Sequence, residues 1–399
     1  MPEAAQPRSF PWRALLLGLS FTESFSTVLL ERGIYFFSYE RLGFSEIENL
    51  WLALRFGAVY AVGALASHPV SRRVGERRLL VVMLACLLVV HATMAVAPRG
   101  ALLVWGFALT GFLQGVKWPL IESYVGSGLD PKQQLAAVGR FNLSWALAVP
   151  LALAVSGPLI ASGHSSWLFV LAGALNGVAL LALPAVPAVV PHLEANDPAR
   201  PPPPVLDRYE RLLGSSRWSM LASYSLLFLI APLMPEIFRR LGESVERATL
   251  WAAWLDGVRV LTFAVLSVAT RWHGRFAPLV LVSLGLPSSF CAILFGPSLG
   301  VVLLGEVAFG VFSGLTYYAA LYYAMVVKNA AVEAGGVHES LIGLGFALGP
   351  GAGLVGHAVA GMVGQKELAV LAGVVPLLAA CLIGSLRALL PRKGAAATT

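Results

Sequence analysis

Hydrophobic and polar residues alternate along this chain in long blocks rather than residue by residue. A helix needs about 20 mostly apolar residues to cross a membrane, and such runs recur along the sequence. The pattern predicts twelve helices, at approximately residues 14–34, 48–70, 79–97, 101–125, 134–161, 166–190, 219–238, 247–270, 278–296, 299–325, 338–363 and 367–390. Alternating segments of about ten residues, typical of membrane-spanning strands, are missing. The predicted fold class is an all-α polytopic membrane protein.

Composition supports this interpretation. Of the 399 residues, 57% are hydrophobic and 12% are charged, whereas soluble domains have about 45–50% and about 25%. A surface that faces water needs more charged residues than this chain supplies. The cysteines stand alone within apolar runs, so we expect neither a disulfide framework nor a cysteine metal site.

The basic residues indicate an orientation. Most of the 28 Lys and Arg residues flank the predicted helices on the side that also carries the two termini. In membrane proteins the side richer in basic residues is cytoplasmic. We therefore expect a multi-pass protein of the cell inner (cytoplasmic) membrane with both termini in the cytoplasm. Membrane orientation explains the net charge of +7 better than nucleic-acid binding does.

A polar, proline-rich stretch separates the first six helices from the last six. Its composition predicts an extended or loosely ordered cytoplasmic linker over residues 191–217. The expected domains are an N-terminal six-helix bundle at 1–190 and a C-terminal six-helix bundle at 218–399.

The two halves contain a repeat. RLGFSEIENLW at 41–51 is similar to RLGESVERATLW at 240–251, and GFALTGFLQG at 106–115 shares its glycine positions with GEVAFGVFSG at 305–314. Six helices separate the copies, so both copies lie on the same side of the membrane. A parallel repeat of this kind is a layout of secondary transporters, and it predicts two pseudo-symmetric bundles.

With these features the chain resembles the major facilitator superfamily (MFS) over essentially its whole length. The loop GALASHPVSRRVGERR at 63–78 is similar to the superfamily motif G-x-x-x-D-R-x-G-R-R, although the aspartate of the motif is missing. The positions that fit are Arg73, Gly75, Arg77 and Arg78. The resemblance implies the MFS fold in membrane lipid, transport by alternating access, and a central cavity lined by helices one, four, seven and ten. We expect a monomer.

Ionisable side chains within membrane helices are energetically unfavourable and are therefore functional candidates. Among those within the predicted helices we single out seven: Glu23, Arg55, Lys117, Glu122, Asp256, Arg259 and Glu306. Glu23 shares a polar stripe with Ser20, Thr27 and Glu31, because residues three or four apart lie on one helix face. It could carry a proton as the cavity alternates, or form an internal ion pair with Arg55.

The repeat suggests two walls of one binding site. It aligns Gln114, Lys117 and Trp118 of the fourth helix with Ser313, Thr316 and Tyr317 of the tenth. Both halves thus place polar or aromatic groups at matching depths. Lys117 offers a positive charge to a substrate anion, or it pairs with an acid such as Glu23.

The remaining charges have less specific predicted roles. Glu122 is expected at a gate or an interface between helices, and Glu306 faces the cavity or pairs across the bundle. Asp256 and Arg259 are three residues apart and are predicted to form a structural pair on one helix face. Arg140, at the start of the fifth helix, is expected to cap or gate.

An enzyme is not indicated. HESLI at 338–342 begins like the zinc-binding H-E-x-x-H motif, but Ile342 replaces the second histidine. We expect no cofactor and no metal site. The sequence predicts a secondary transporter that exports a small organic solute, coupled to protons. Proton-coupled or facilitated uptake of an anionic or zwitterionic metabolite is the alternative, and a non-transporting sensor or scaffold is the alternative of a different class.

Overall fold

The structure, a computed structural model, describes residues 12–129, 131–164, 166–189, 202–328 and 332–390. Over these residues it is helical and has no strand, and twelve of its helices are long and apolar enough to cross a membrane. The predicted fold class is confirmed. We number the twelve spans in chain order.

The first six spans contain these helices: span 1, Trp12–Glu31 and Gly33–Leu42; span 2, Glu46–Val74; span 3, Glu76–Val96; span 4, Gly100–Val125; span 5, Pro131–Ala161; span 6, Trp167–Ala182, followed by the 3₁₀ turn Leu183–Ala185. The last six contain: span 7, Pro203–Ile230, the 3₁₀ turn Ala231–Leu233, and Met234–Arg240; span 8, Val245–Val268; span 9, Ala277–Phe295; span 10, Leu299–Lys328; span 11, Val332–Val363; span 12, Lys366–Leu389.

The bundle has two faces, which we name from the chain. The terminal face carries the start of span 1 and the end of span 12. There the Arg13 guanidinium donates hydrogen bonds to the carbonyl oxygens of Val125 (3.5 Å) and Ser127 (2.9 Å), at the end of span 4. The opposite face carries the turn between spans 1 and 2 and the turn between spans 7 and 8.

The repeated phrase builds matching turns on the opposite face. Gly43 (φ 68°) and Gly242 (φ 80°) adopt the left-handed conformation that ends a helix. Ser45 then caps span 2, with its hydroxyl accepting from the backbone N–H of Glu48 at 3.3 Å. The Glu48 carboxylate accepts from the backbone N–H of Ser45 in return (2.8 Å), which completes a capping box. Ser244 holds the corresponding position before span 8.

The repeat extends to breaks in the helices. Span 1 is interrupted at Arg32, and span 7 is interrupted by the 3₁₀ turn Ala231–Leu233, at the position that corresponds to Arg32. Pro232 lies in that turn, and a proline within a helix removes one backbone hydrogen bond. Each half therefore contains one span that consists of a long helix and a short one.

The halves meet along two pairs of spans. Span 2 packs against span 11, and span 5 packs against span 8. Glycines allow the close approach: a Cβ added at Gly57 would collide with the Phe346 backbone, and one added at Gly157 would collide with the Thr249 hydroxyl. These contacts join the N-terminal half to the C-terminal half.

The predicted linker is shorter than the sequence suggested. Residues 203–217, expected to be extended, form the first turns of span 7. Prolines in the first turn lose no helical hydrogen bond, because the N–H groups there have no intrahelical partner. Leu212 and Leu213 supply apolar side chains that are buried against the bundle. The expectation for this stretch is therefore wrong from residue 203 onward, and residues 190–201 lie outside the described part of the chain.

Candidate functional site

A cavity of about 70 Å³ lies between the two halves. Spans 1, 2, 4 and 5 line it from one half, and spans 7, 8, 10 and 11 from the other. Its charged lining residues are Glu31, Arg32, Arg259 and Glu339. Its aromatic lining residues are Tyr60, Trp118, Trp145, Tyr224, Phe228, Tyr317 and Phe346. The cavity thus combines charges of both signs with apolar ring surfaces.

Contacts between the halves close the opposite face. The Tyr39 hydroxyl donates to the Glu236 carboxylate at 2.5 Å. The Glu46 carboxylate lies 2.6 Å from Lys366 Nζ and 3.2 Å from His357 Nε2. These pairs tie the ends of spans 1 and 2 to those of spans 7, 11 and 12.

The terminal face is closed as well. A Cβ added at Gly139 of span 5 would lie 2.8 Å from Ser267 Cβ of span 8, and one added at Gly336 of span 11 would lie 3.0 Å from the carbonyl oxygen of Ala64. Backbone and small side chains therefore touch directly across this interface. The halves therefore contact each other at both faces, on either side of the small cavity.

Glu23 and Lys117 form a buried ion pair behind the cavity wall. Lys117 Nζ lies 2.7 Å from Glu23 Oε2 and donates to Thr27 Oγ1 at 3.4 Å. The Asn176 amide donates to both oxygens of Glu23, at 3.1 and 3.0 Å. Neither charged group is among the lining residues of the cavity. Of the two alternatives for Lys117, pairing with Glu23 is the one that the structure contains.

The predicted pairing of Glu23 with Arg55 is wrong. The Arg55 guanidinium instead stacks over the ring of Trp51, on its own helix, at 5.4 Å from the ring centroid. The stripe on span 1 showed which face carries Glu23, but it did not show which neighbouring helix packs there. Spans 4 and 6, rather than span 2, supply the groups that contact the carboxylate.

A second ion-pair group crosses between the halves. Asp256 of span 8 lies 2.8 Å from Arg259 and 3.2 Å from Arg32, measured from its carboxylate oxygens to their guanidinium nitrogens. The predicted pairing of Asp256 with Arg259 is confirmed. The Arg259 guanidinium also stands over Trp145, at 5.1 Å from the ring centroid. Sequence reasoning missed Arg32, because it lies at the end of a predicted helix, where a charge is ordinary.

Two carboxyl groups from different halves meet at the edge of the cavity. Glu122 of span 4 and Glu339 of span 11 bring their carboxyl groups close together. The Tyr60 hydroxyl donates to Glu339, and the Tyr317 hydroxyl donates to Glu122 at 3.4 Å. With His338, the potential ligand atoms of the two acids lie within 4.8 Å of one another. The interface position expected for Glu122 agrees with this placement.

The other predicted site residues lie in varied places. Of the residues proposed for the two walls, Trp118 and Tyr317 line the cavity. The hydroxyls of Ser313 and Thr316 donate to carbonyl oxygens of their own helix, at 3.3 and 2.8 Å. Gln114 and Glu306 are buried, and their polar side-chain atoms have no hydrogen-bond partner among the described residues. Their predicted roles in binding stay predictions.

The basic loop on the terminal face has a structural contact. Gly75, with φ of 90°, ends span 2. The Arg77 guanidinium donates to the carbonyl oxygens of Pro184 (3.4 Å) and Val186 (3.1 Å), after span 6. Arg73, Arg78 and Arg140 are exposed. Arg77 therefore ties the end of span 6 to the start of span 3 within the N-terminal half.

Comparison with known proteins begins with a family model. The model described as Major Facilitator Superfamily matches residues 16–353. The chain is also similar to the fatty acid resistance protein FarB of Neisseria gonorrhoeae, with 24% identity over 159 residues, 40% of this chain and 31% of that protein. It is 34% identical over 137 residues to a chloramphenicol efflux pump of Mycobacterium tuberculosis, 32% of each chain. The matches span about a third of these curated relatives.

Solved structures share the fold. The human organic anion transporter MFSD10 (TETRAN) superposes with a TM-score of 0.64 at 14% identity, over 96% of this chain and 100% of that one. The nucleoside transporter NupG superposes with a TM-score of 0.65 at 14% identity, over 94% and 98%. At this identity the likeness concerns the fold alone. The family match, the twelve spans and these structural neighbours agree: the chain belongs to the major facilitator superfamily.

Proposed function

We propose that this transporter exports a small amphipathic organic solute in exchange for protons. The observation that carries the proposal is the cavity between the halves, which combines aromatic walls with charged groups of both signs. A transporter of this class alternates between states that are open to one face or the other. In an occluded state, the groups that line the cavity are those that a bound solute contacts.

The lining defines the chemistry of the solute. Aromatic rings offer large apolar surfaces, while Arg32 and Arg259 attract anionic groups, and Glu31 and Glu339 attract cationic ones or donate a proton. A solute with an apolar body and one polar or charged group satisfies both features. A neutral sugar would leave the ring surfaces and the charges largely unmatched.

Carboxyl groups in the cavity favour proton coupling. Glu31 and Glu339 line the cavity, and neither has an ion pair with a basic residue among the described residues. A carboxyl group that faces a cavity within the membrane, without a fixed cation, can take up and release a proton as its surroundings alternate. The carboxylate of Glu23, by contrast, is already neutralised by Lys117.

Export is favoured by the curated relatives, whose names describe an efflux pump and a resistance protein. The distribution of basic residues supports a cytoplasmic terminal face, and the inner membrane as the location. A fluorescent protein that matures only in the cytoplasm, fused to the C-terminus, is expected to fluoresce. A periplasm-dependent reporter at the same position is expected to be inactive.

The test is transport by purified protein in liposomes, with chloramphenicol and a long-chain fatty acid as probes. Exchange with protons predicts that probe accumulates when the vesicle interior is the acidic side, and that a protonophore abolishes the accumulation. Accumulation in vesicles with an alkaline interior would instead support proton-coupled uptake. Equilibration without accumulation would support facilitated transport. No probe movement under either gradient would contradict the proposal and favour a non-transporting sensor.

A further inference from the structure

We propose that Glu122 and Glu339 hold one exchangeable proton between them, that this proton fastens the two halves together at the terminal side of the cavity, and that its release opens that side. The inference rests on the proposed function only where it links this proton to solute movement. It concerns a proton-binding site composed of one residue from each half.

The geometry requires a proton. Glu122 belongs to span 4 and Glu339 to span 11, and the exposed fractions of the two side chains are 0% and 4%. Oxygen atoms of the two carboxyl groups lie within 4.8 Å of each other. An ionised carboxylate only accepts hydrogen bonds, so a bond between two carboxyl groups needs a proton on one of them. One proton therefore converts a repulsive contact between the halves into an attractive one.

Among the residues that the structure describes, no basic side chain forms an ion pair with either acid to replace that proton. Lys117 of span 4 is bound to Glu23. The Tyr60 and Tyr317 hydroxyls donate hydrogen bonds to the pair. Glu31 of span 1 and Tyr224 of span 7 interact electrostatically with Glu339. His338 of span 11 lies beside the two acids, and Arg217 of span 7 acts on His338. Two carboxylates this close in a dry interior cannot both be ionised without a strong penalty.

The pair lies at a tight point of the interface. A Cβ added at Gly335 would lie 3.1 Å from Glu122 Oε2 and 3.2 Å from Pro119 Cα, and one added at Gly336 would lie 3.0 Å from the Ala64 carbonyl oxygen. Span 11 thus rests directly on spans 2 and 4 beside the two acids. If the shared proton leaves, like charges face each other where the halves are closest, and separation of the halves relieves the repulsion.

The pair also reaches the solute. Glu339 lines the cavity, whereas Glu122 does not. A solute in the cavity can therefore contact the same carboxyl group that shares the proton with Glu122. Solute binding and proton release then act on one bond between the halves, which is the physical requirement for coupling them.

The neighbouring His338 suggests a second possible occupant. It is buried, and both of its ring nitrogens lack a hydrogen-bond partner among the described residues. One imidazole and two carboxylates are a ligand set that divalent transition metals accept. The proton is favoured because the Tyr60 and Tyr317 hydroxyls already donate hydrogen bonds to the two acids, and a metal ion would compete with those bonds. Metal binding is accordingly an outcome of the test.

The proton is measured by infrared difference spectroscopy on purified protein as pH is raised. Wild type is expected to lose the carbonyl band of one protonated carboxyl group. Glu122→Gln and Glu339→Gln are each expected to lack this signal. The double variant is expected to lose no more of the carbonyl band than either single variant loses. Glu333→Gln is the matched control, since Glu333 is an exposed carboxyl group on the same helix as Glu339. Signals that persist in both single variants, or losses that add in the double variant, would overturn the proposal.

Opening is measured by spin labels at Arg72→Cys and Lys328→Cys, exposed positions on the terminal face of each half, in a background without the native cysteines. The distance between labels is expected to increase with pH in wild type and to stay constant in Glu122→Gln. A pH-dependent distance in Glu122→Gln would contradict the role of the pair in closure. Glu122→Asp keeps the acid and is expected to restore the dependence of the label distance on pH. Thermal unfolding of Glu122→Asp checks that this variant keeps its fold.

Transport separates this inference from the proposed function. Glu122→Gln, whose amide keeps the halves bonded at every pH, is expected to lose probe exchange at equal pH as well as accumulation under a pH gradient, whereas Glu122→Asp is expected to keep both. If wild type moves no probe but shows the infrared signal, the proposed function fails and the shared proton stands. If Mn²⁺ or Zn²⁺ binds one-to-one by calorimetry, removes the infrared signal and no longer binds after His338→Ala, the metal replaces the proton as the occupant.

Discussion

Replacing Lys117 with methionine tests what the buried pair with Glu23 does. Methionine is close to lysine in length and apolar, so Lys117→Met removes the charge without leaving a large void. It leaves the Glu23 carboxylate with the Asn176 amide, 3.0 Å away, and without the ammonium group at 2.7 Å. Because both side chains are fully buried, water does not replace the lost partner.

The expected cost follows from the asymmetry of buried ion pairs. Removing one member of such a pair costs about 3–5 kcal/mol, since the other charge stays buried and uncompensated, whereas replacing both members with apolar groups is often neutral. We therefore expect Lys117→Met to destabilise the protein by about 3 kcal/mol or more. The double variant Glu23→Gln/Lys117→Met is expected to recover most of that loss, because the charge is removed with its partner and glutamine still hydrogen-bonds Asn176.

The assay is reversible unfolding in mixed detergent micelles, analysed as a double-mutant cycle, with Arg55→Met as the control for an unpaired charge on a neighbouring span. If Lys117→Met lowers the free energy of unfolding by less than about 1 kcal/mol, the range of an exposed pair, the reasoning is refuted. A double variant that is as unstable as the sum of the single variants would also refute it. Transport by the double variant then decides the role of Glu23. If gradient-driven accumulation persists in the double variant, the pair is structural. If accumulation is lost while stability is intact, the result supports Glu23 as a proton carrier.

Three further predictions concern two contacts between the halves and the loop after span 8. Asp256→Asn leaves Arg32 and Arg259 without their shared carboxylate. We expect labels on the opposite face to separate and transport to fall at least tenfold. Glu246→Gln, on the exposed surface of the same span, is the control and is expected to have no effect. Gly57→Val forces a side chain into span 11. We therefore expect the free energy of unfolding to fall by about 1–3 kcal/mol and solute exchange to slow. Gly18→Val, whose side chain enters open space, is the control. Burial lowers the pKa of His273, in the loop after span 8. Below about pH 6.5 the unfolded chain therefore protonates the His273 imidazole more readily than the folded protein does. The melting temperature should fall in that pH range in wild type, and it should fall less in His273→Phe.

The membrane architecture was readable from the sequence because it depends on local properties. Apolar runs of sufficient length gave the twelve spans, and the repeated Gly43 and Gly242 marked helix ends whose conformation glycine favours. Periodicity along one helix likewise placed Asp256 beside Arg259. Each of these features depends only on residues that are close in sequence.

The site was less predictable because it depends on which helices meet. The sequence offered both Arg55 and Lys117 as partners of Glu23, and the structure contains the pair with Lys117. A polar stripe does not identify the helix that packs against it. Glu339 lies near the start of span 11, where a charge is ordinary, and its contact with Glu122 arises only when the two halves close. The start of span 7 was missed for a related reason, because its proline-rich beginning resembles a linker.

The two broken spans separate the selection of a solute from the timing of its release. The short helices Gly33–Leu42 and Met234–Arg240 contact each other across the halves through Tyr39 and Glu236. They lie beyond the breaks, on the side away from the cavity. We expect substitutions there to change how long the opposite face stays shut without altering the lining that a solute contacts. Turnover and substrate range can therefore evolve, or be engineered, as independent properties of this transporter.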